Sequence, residues 1–158
     1  MKIALVITVK NEERILRDNL IYHNALGISK AFVYLDKSTD GTKESIQDLD
    51  FVTISDSVVK EKYASLEYLH KFIATYETHH TARQCLNTFD AKQSCQLLGI
   101  DWLISIDADE LIVLNRKIFE FNSLPNFFTI LNSDVDEVNF KTFEVVAKEK
   151  KYNNVFAE

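Results

Sequence analysis

The chain has 158 residues, 46% apolar and 27% charged, with a net charge of −6. That length suits one domain able to bury a core, and an acidic balance without a Lys/Arg stripe argues against a nucleic-acid-binding surface. No apolar run approaches the roughly 20 residues that span a bilayer, and the apolar start runs into Lys10-Asn11-Glu12-Glu13-Arg14 without a small-residue cleavage site, so it does not read as a secretory leader.

Ile3 to Val9 is a nearly continuous apolar run, which predicts a strand buried on both faces, as parallel sheets require. The segment opened by Asn11-Glu12-Glu13 carries apolar residues at Ile15, Leu16, Leu20 and Leu26 and stops at Gly27, the pattern of a helix with a glycine cap. A strand is expected at Ala31–Leu35, turn chemistry from Asp36 to Thr42, a short helix over Thr42–Asp48 and a strand at Phe51–Ile54. From Ser55 to Thr78 the period is lost, and Tyr63, Leu66, Leu69, Phe72 and Ile73 suggest one face of an irregular helical excursion.

Helical spacing of Ala82, Cys85, Leu86, Phe89 and Cys95 predicts a helix over Thr81–Leu98, ended by Gly99 and followed by a strand at Trp102–Ile106. A helix is expected at about Leu124–Leu131 and a strand at Val135–Val146. Cys85 and Cys95 are too few for a disulfide framework or a zinc site and read as small buried hydrophobes in a reducing compartment. His79-His80 reads as a solvated or helix-starting pair. The alternation of strands and helices implies an α/β fold with a mostly parallel central sheet flanked by helices, whose ligands bind beyond the carboxyl ends of the strands.

Asp107-Ala108-Asp109-Glu110 follows the last of the central strands directly. Clustered carboxylates repel one another and resist desolvation, so a strand ending in them presents them to a cation, either a divalent metal or a metal-bound diphosphate. The plainer alternative is an acidic, solvated turn. Two further polar groups fall at strand ends, Lys10-Asn11-Glu12 after the first and Asp36 to Thr42 after the second.

Taken in order, Val9-Lys10-Asn11-Glu12, Leu35-Asp36-Lys37-Ser38-Thr39-Asp40-Gly41-Thr42, and Arg83 with Asn87 ahead of Asp107-Ala108-Asp109-Glu110 resemble the family 2 glycosyltransferases, nucleotide-sugar-dependent enzymes of the GT-A fold, over roughly residues 3 to 113. The resemblance implies a GT-A-like, Rossmann-like sheet and one nucleotide-sugar-binding domain over residues 1–158. It implies that Thr8, Lys10, Asn11 and Glu12 line the nucleoside pocket, that Asp36 hydrogen-bonds the base and that Arg83 lies near the diphosphate. Asp107 would approach the ribose and metal-bound water, and Asp109 would ligate Mg²⁺ or Mn²⁺, an assignment in keeping with the preference of hard ions for oxygen ligands. Because a carboxylate can accept the ring N–H of uracil, a UDP-sugar donor is favoured.

The implied activity is that of an inverting, hexosyltransferase-like enzyme acting on a glycan, lipid or protein acceptor. Cell-envelope polysaccharide biosynthesis is the expected setting, in the cytoplasm or at the inner face of the membrane. Two departures qualify it. Leu35 stands where family members often carry a second acidic residue, and none of Asp134, Asp136, Glu137 and Glu144 lies in a motif that marks a catalytic base. The chain is therefore expected to be the donor-binding half of a longer enzyme or to have an abbreviated acceptor site. A non-catalytic nucleotide-sugar-binding module is the alternative. A nucleotidyltransferase is disfavoured because Lys10-Asn11-Glu12-Glu13 lacks a glycine-rich phosphate loop.

Overall fold

A computed structural model of the chain describes residues 1–114, 123–144 and 156. Strands β1 (Ile3–Val9), β2 (Lys30–Leu35), β3 (Val52–Asp56) and β4 (Trp102–Ser105) pair in the order β3-β2-β1-β4, all parallel. The fold is thus α/β, with a parallel four-stranded sheet between helices, consistent with the Rossmann-like GT-A class. The chain starts at β1, steps outward to β2 and β3, and crosses back to place β4 on the other side of β1. That reversal of strand order opens a crevice at the carboxyl ends, where open α/β sheets bind ligands.

Alternation along β1 sends successive side chains to opposite faces. Ile3, Leu5 and Ile7 pack with Leu16 and Leu20 of helix α1 (Leu16–Ala25). On the other face, Ala4 and Val6 meet Ala91 and Cys95 of helix α3 (His80–Leu98), with Phe32 and Tyr34 beside them. Both faces being covered explains why β1 reads as continuous apolar sequence rather than alternating. Each fully buried Leu or Ile contributes about 1.5–3 kcal/mol of transfer free energy.

Segment 55–78 folds as two single 3₁₀ turns, Lys60–Tyr63 and Glu67–Leu69, and a short helix α2 (His70–Ala74). It is tied down by Asp90 on α3, which accepts hydrogen bonds from Tyr34 at 2.7 Å, Tyr63 and Lys62. α3 ends at Gly99, whose φ of 62° lets Ile100 donate to the Cys95 carbonyl at 3.0 Å. Helix α4 (Leu124–Thr129) is capped by Ser123 and docks beside the end of α1, Leu124 donating to the Leu26 carbonyl at 2.8 Å. Among the described residues no helix is long and apolar enough to cross a membrane.

Several boundaries differ from expectation. The first helix starts at Leu16 rather than near Asn11, because Asn11 adopts φ 60° and residues 11–13 bond to the loop after β2. Thr42–Asp48 forms successive turns, with Ser45 donating to Gly41 and Ile46 to Lys43, instead of a helix. The strand expected at Val135–Val146 is not formed over residues 135–144, and residues 145 and 146 lie outside the described residues. A strand exists only through a ladder partner; here the segment is held by side chains, Phe140 meeting Phe127 at a centroid distance of 6.0 Å, while Phe143 is exposed. Cys95 is buried and Cys85 half-buried, both as free thiols.

Candidate functional site

The loops after β1 and β2 are bound into one unit. Asn11 donates its backbone N–H to Ser38 Oγ at 3.1 Å and accepts from the Thr39 N–H at 2.8 Å through its side chain. The Glu12 N–H donates to Thr42 Oγ1 at 2.8 Å, the Glu13 carboxylate accepts from the Gly41 N–H at 2.8 Å, and Asp40 accepts from the Glu13 N–H at 3.3 Å. The Asp40 carboxyl, which burial would push up, is held below its ordinary value by the Thr42 hydroxyl and by backbone N–H groups. Much of the polarity that marks this region in sequence therefore fixes the rim, Asn11 and Asp40 included.

At the end of β2, Asp36 is buried and bound by Arg83 from α3: Nε lies 2.8 and 3.0 Å from the two carboxylate oxygens and Nη2 donates to Oδ2 at 2.8 Å. Arg83 also donates through Nη1 to the Tyr76 carbonyl at 2.7 Å. Burial pushes the Asp36 carboxyl up, but the Arg83 hydrogen bonds and charge, helped by Ser57, bring it below the ordinary carboxylate value. Such charge-assisted, bidentate hydrogen bonds are roughly twice as strong as neutral ones. One turn along α3, the buried Asn87 donates to Thr8 Oγ1 at 3.0 Å and Ser57 Oγ at 3.1 Å and accepts from the Val58 N–H at 2.9 Å, tying β1 to the segment after β3.

Above these contacts lies a cleft of about 310 Å³ whose walls include Thr8, Lys10, Asp36, His80, Arg83 and Gln84. Two strand ends, those of β1 and β2, and the start of α3 thus meet at one place, and His80 and Gln84 join it although the sequence did not single them out for this role. A larger hollow, about 450 Å³, opens beside Met1, Trp102 and Phe128 at the amino end of β4. Among the described residues Asp101 is the one charged side chain lining it, whereas Lys10, Asp36 and Arg83 converge on the smaller cleft, which is therefore the candidate site.

The acidic turn borders the cleft through Gln84, which donates to Asp107 Oδ1 at 3.0 Å. Glu110 folds back to accept from the Asp107 N–H at 3.0 Å, so its carboxylate closes the turn. Asp109 is exposed and has no hydrogen-bonded partner among the described residues. Glu12 across the rim is raised first by burial, then by the charges of Asp109 and Asp40, which places the carboxylates of the β1 and β4 loops in one electrostatic neighbourhood. Behind the turn, the buried Asn19 and His23 of α1 bond to the backbone of residues 108–112. Sequence reasoning missed both, because a polar residue at helical spacing reads as solvent-facing.

Asp107, Asp109 and Glu12 offer carboxylate oxygens, the ligand type that a hard divalent ion prefers. Among the described residues no three His, Cys, Asp or Glu side chains form a group that could hold a metal by themselves. The arrangement does not fit an all-protein cage; an ion held here would need oxygen ligands from elsewhere, such as phosphate and water.

No family model matches the chain. Over 106 residues, 66% of its length, the chain is 27% identical to a glycosyltransferase family 92 protein of Oryza sativa subsp. japonica. The matched region is 15% of that relative, so this chain corresponds to a small part of its length. The similarity is therefore to a glycosyltransferase, over about two thirds of this chain.

Proposed function

We propose that this chain binds a nucleotide-diphosphate sugar together with Mg²⁺ or Mn²⁺ at the carboxyl ends of β1, β2 and β4, as the donor-binding part of an inverting glycosyltransferase. The observation that carries this reading is the convergence of Thr8, Lys10, Asp36 and Arg83 on one cleft, bordered through Gln84 by Asp107 and its acidic turn. The similarity to a glycosyltransferase supports it.

Lys10 and His80 line the cleft and offer the cationic and donor groups that a diphosphate seeks. Asp36, kept ionised by Arg83, accepts a ring N–H from the base. Its 3.4 Å contact with Ser57 is the weakest it makes and the one a uracil ring would replace, which favours a UDP-sugar. Asp109, with Asp107, would hold the divalent ion, which when bound neutralises charge on the departing diphosphate. The acceptor, a glycan, lipid or protein, needs a base to remove its proton, a contribution of about 10²- to 10⁴-fold in rate. None of Asp134, Asp136, Glu137 and Glu144 lines the cleft. The purified chain is accordingly expected to bind donor but transfer sugar slowly, which also keeps a non-catalytic donor-binding module as the second reading.

Calorimetry of UDP with and without MnCl₂ tests the site. Affinity should rise with Mn²⁺ in the parent chain and lose that rise in Asp109→Ala; metal-independent or undetectable binding in the parent would sink the proposal. Rapid stoichiometric glycosylation of an added acceptor would show instead that the base lies within this chain.

A further inference from the structure

We propose that Asn19 is a positioning residue for the acidic turn, acting with His23 and Tyr22 to fix the backbone that presents Asp109. The inference rests on the donor-site reading above and extends it to residues of α1 that do not line the cleft.

The buried face of α1 comprises Leu16, Asn19, Leu20 and His23. Two of these four are polar, and both are fully buried. Apolar side chains there would serve packing alone; these two instead spend their hydrogen-bonding capacity on one stretch of chain. Asn19 Nδ2 donates to the Ala108 carbonyl at 2.9 Å and the Glu110 carbonyl at 2.7 Å, the residues on either side of Asp109. His23 Nε2 accepts from the Ile112 N–H at 3.2 Å, which leaves the ring proton on Nδ1, facing the Asn19 carbonyl at 2.9 Å and Asn19 Oδ1 at 3.0 Å. Tyr22 donates to the Ile112 carbonyl at 2.8 Å.

A continuous relay thus runs from Ile112 through His23 and Asn19 to the two carbonyls flanking Asp109. His23 sets the orientation of the Asn19 amide, and the amide sets the turn. Asp107 is restrained separately, by Gln84 through its side chain and by Glu110 through its N–H. Asp109 has no such side-chain restraint among the described residues, so its direction depends on the backbone that Asn19 holds. Groups one step removed from a metal behave this way: they leave its ligands in place but set how well they are aimed.

The test compares the parent chain with Asn19→Ala and Tyr22→Phe, reading amide exchange over residues 108–112 and UDP affinity with and without MnCl₂. In Asn19→Ala, exchange at Ile112 should accelerate and the Mn²⁺-dependent gain in UDP affinity should fall by roughly 10-fold, the lower end for lost outer-shell partners, with metal-free UDP affinity unchanged. Tyr22→Phe keeps the buried pair and should move both readouts the same way by a smaller factor, so it carries the test if Asn19→Ala does not fold. Faster exchange with an unchanged Mn²⁺ gain, or an equal loss of affinity with and without metal, would make the relay merely structural and overturn the proposal. A parent chain without any Mn²⁺ gain would overturn the donor-site reading itself, and the positioning role with it.

Discussion

The carboxylate of Asp36 and the guanidinium of Arg83, 47 residues apart in sequence, meet through hydrogen bonds of 2.8 to 3.0 Å with side chains only 6% and 12% exposed. Two residues expected to serve a base and a diphosphate separately are thereby one unit, which links the end of β2 to the first turn of α3. The cleft floor cannot be altered at one without disturbing the other.

Arg83→Met should therefore leave Asp36 as a buried charge without its partner and cost about 3–5 kcal/mol, whereas changing Asp36 to Asn as well should restore part of the loss. Urea unfolding of the single and double variants checks this. The pair also has a pH signature. Burial pushes the Asp36 carboxyl up, but Arg83 holds it below its unfolded value, so its contribution is present above the ordinary carboxylate range and is lost as pH falls through the lowered value. Arg83→Met should remove that acid-side slope.

His23 gives a second pH dependence, at higher pH. Burial lowers its pKa to about 4, against the ordinary 6.5, despite the opposing hydrogen bond to Asn19. The unfolded chain binds the proton more readily, so stability should be level above pH 6.5 and decline as pH falls towards 4, by about 3 kcal/mol. Denaturation midpoints measured between pH 7 and pH 4 would reveal it, and His23→Gln, which cannot titrate, should flatten the curve.

Asp109 and Glu110 of the acidic turn should separate by role. Asp109→Asn should weaken the Mn²⁺ dependence of UDP binding at least as much as the roughly 10- to 100-fold that outer-shell losses cost. Glu110→Gln keeps an oxygen able to accept from the Asp107 N–H and should leave that dependence within a few fold. Equal effects of the two substitutions in calorimetry would refute the division.

Gly27 is the glycine least open to change. Its φ is 107°, and a Cβ there would stand 2.5 Å from Pro125 Cδ and 3.0 Å from Cγ, so α1 and α4 could no longer approach. Gly27→Ala should cost about 1–3 kcal/mol from strain alone, with the clash added. Gly99, with a φ of 62° and open space around it, should cost about 1 kcal/mol as alanine. Thermal unfolding of the two variants gives the comparison.

The central sheet was legible because burial on both faces makes β1 and β2 nearly continuous apolar runs, and Gly99 announces the end of α3 by the same logic that predicts a left-handed cap. The cleft was legible as a place, since Thr8, Lys10, Asp36 and Arg83 all line it. What sequence concealed is which polar groups are already engaged. Asn11, expected to line the nucleoside pocket, also holds Thr39 on the rim, Asp40 of the turn holds Glu13 there, and Asn19 and His23, polar residues at helical spacing, sit fully buried. Partners lying tens of residues away leave no local pattern. The strand expected at Val135–Val146 is not formed over residues 135–144 for a related reason, because alternation records which side chains can pack, not whether a neighbouring ladder exists.

The interlocked loops after β1 and β2 bear on the tempo of ligand arrival. Their side chains and amides are ordered by one another during folding, so a nucleotide meeting them does not have to immobilise the rim, a cost of about 0.5–1.5 kcal/mol for each side chain that it would otherwise have to order. On the proposed donor-site reading, association with such a preorganised rim should proceed as a single encounter with a ready surface, its observed rate rising linearly with nucleotide concentration instead of levelling off at the speed of a loop rearrangement.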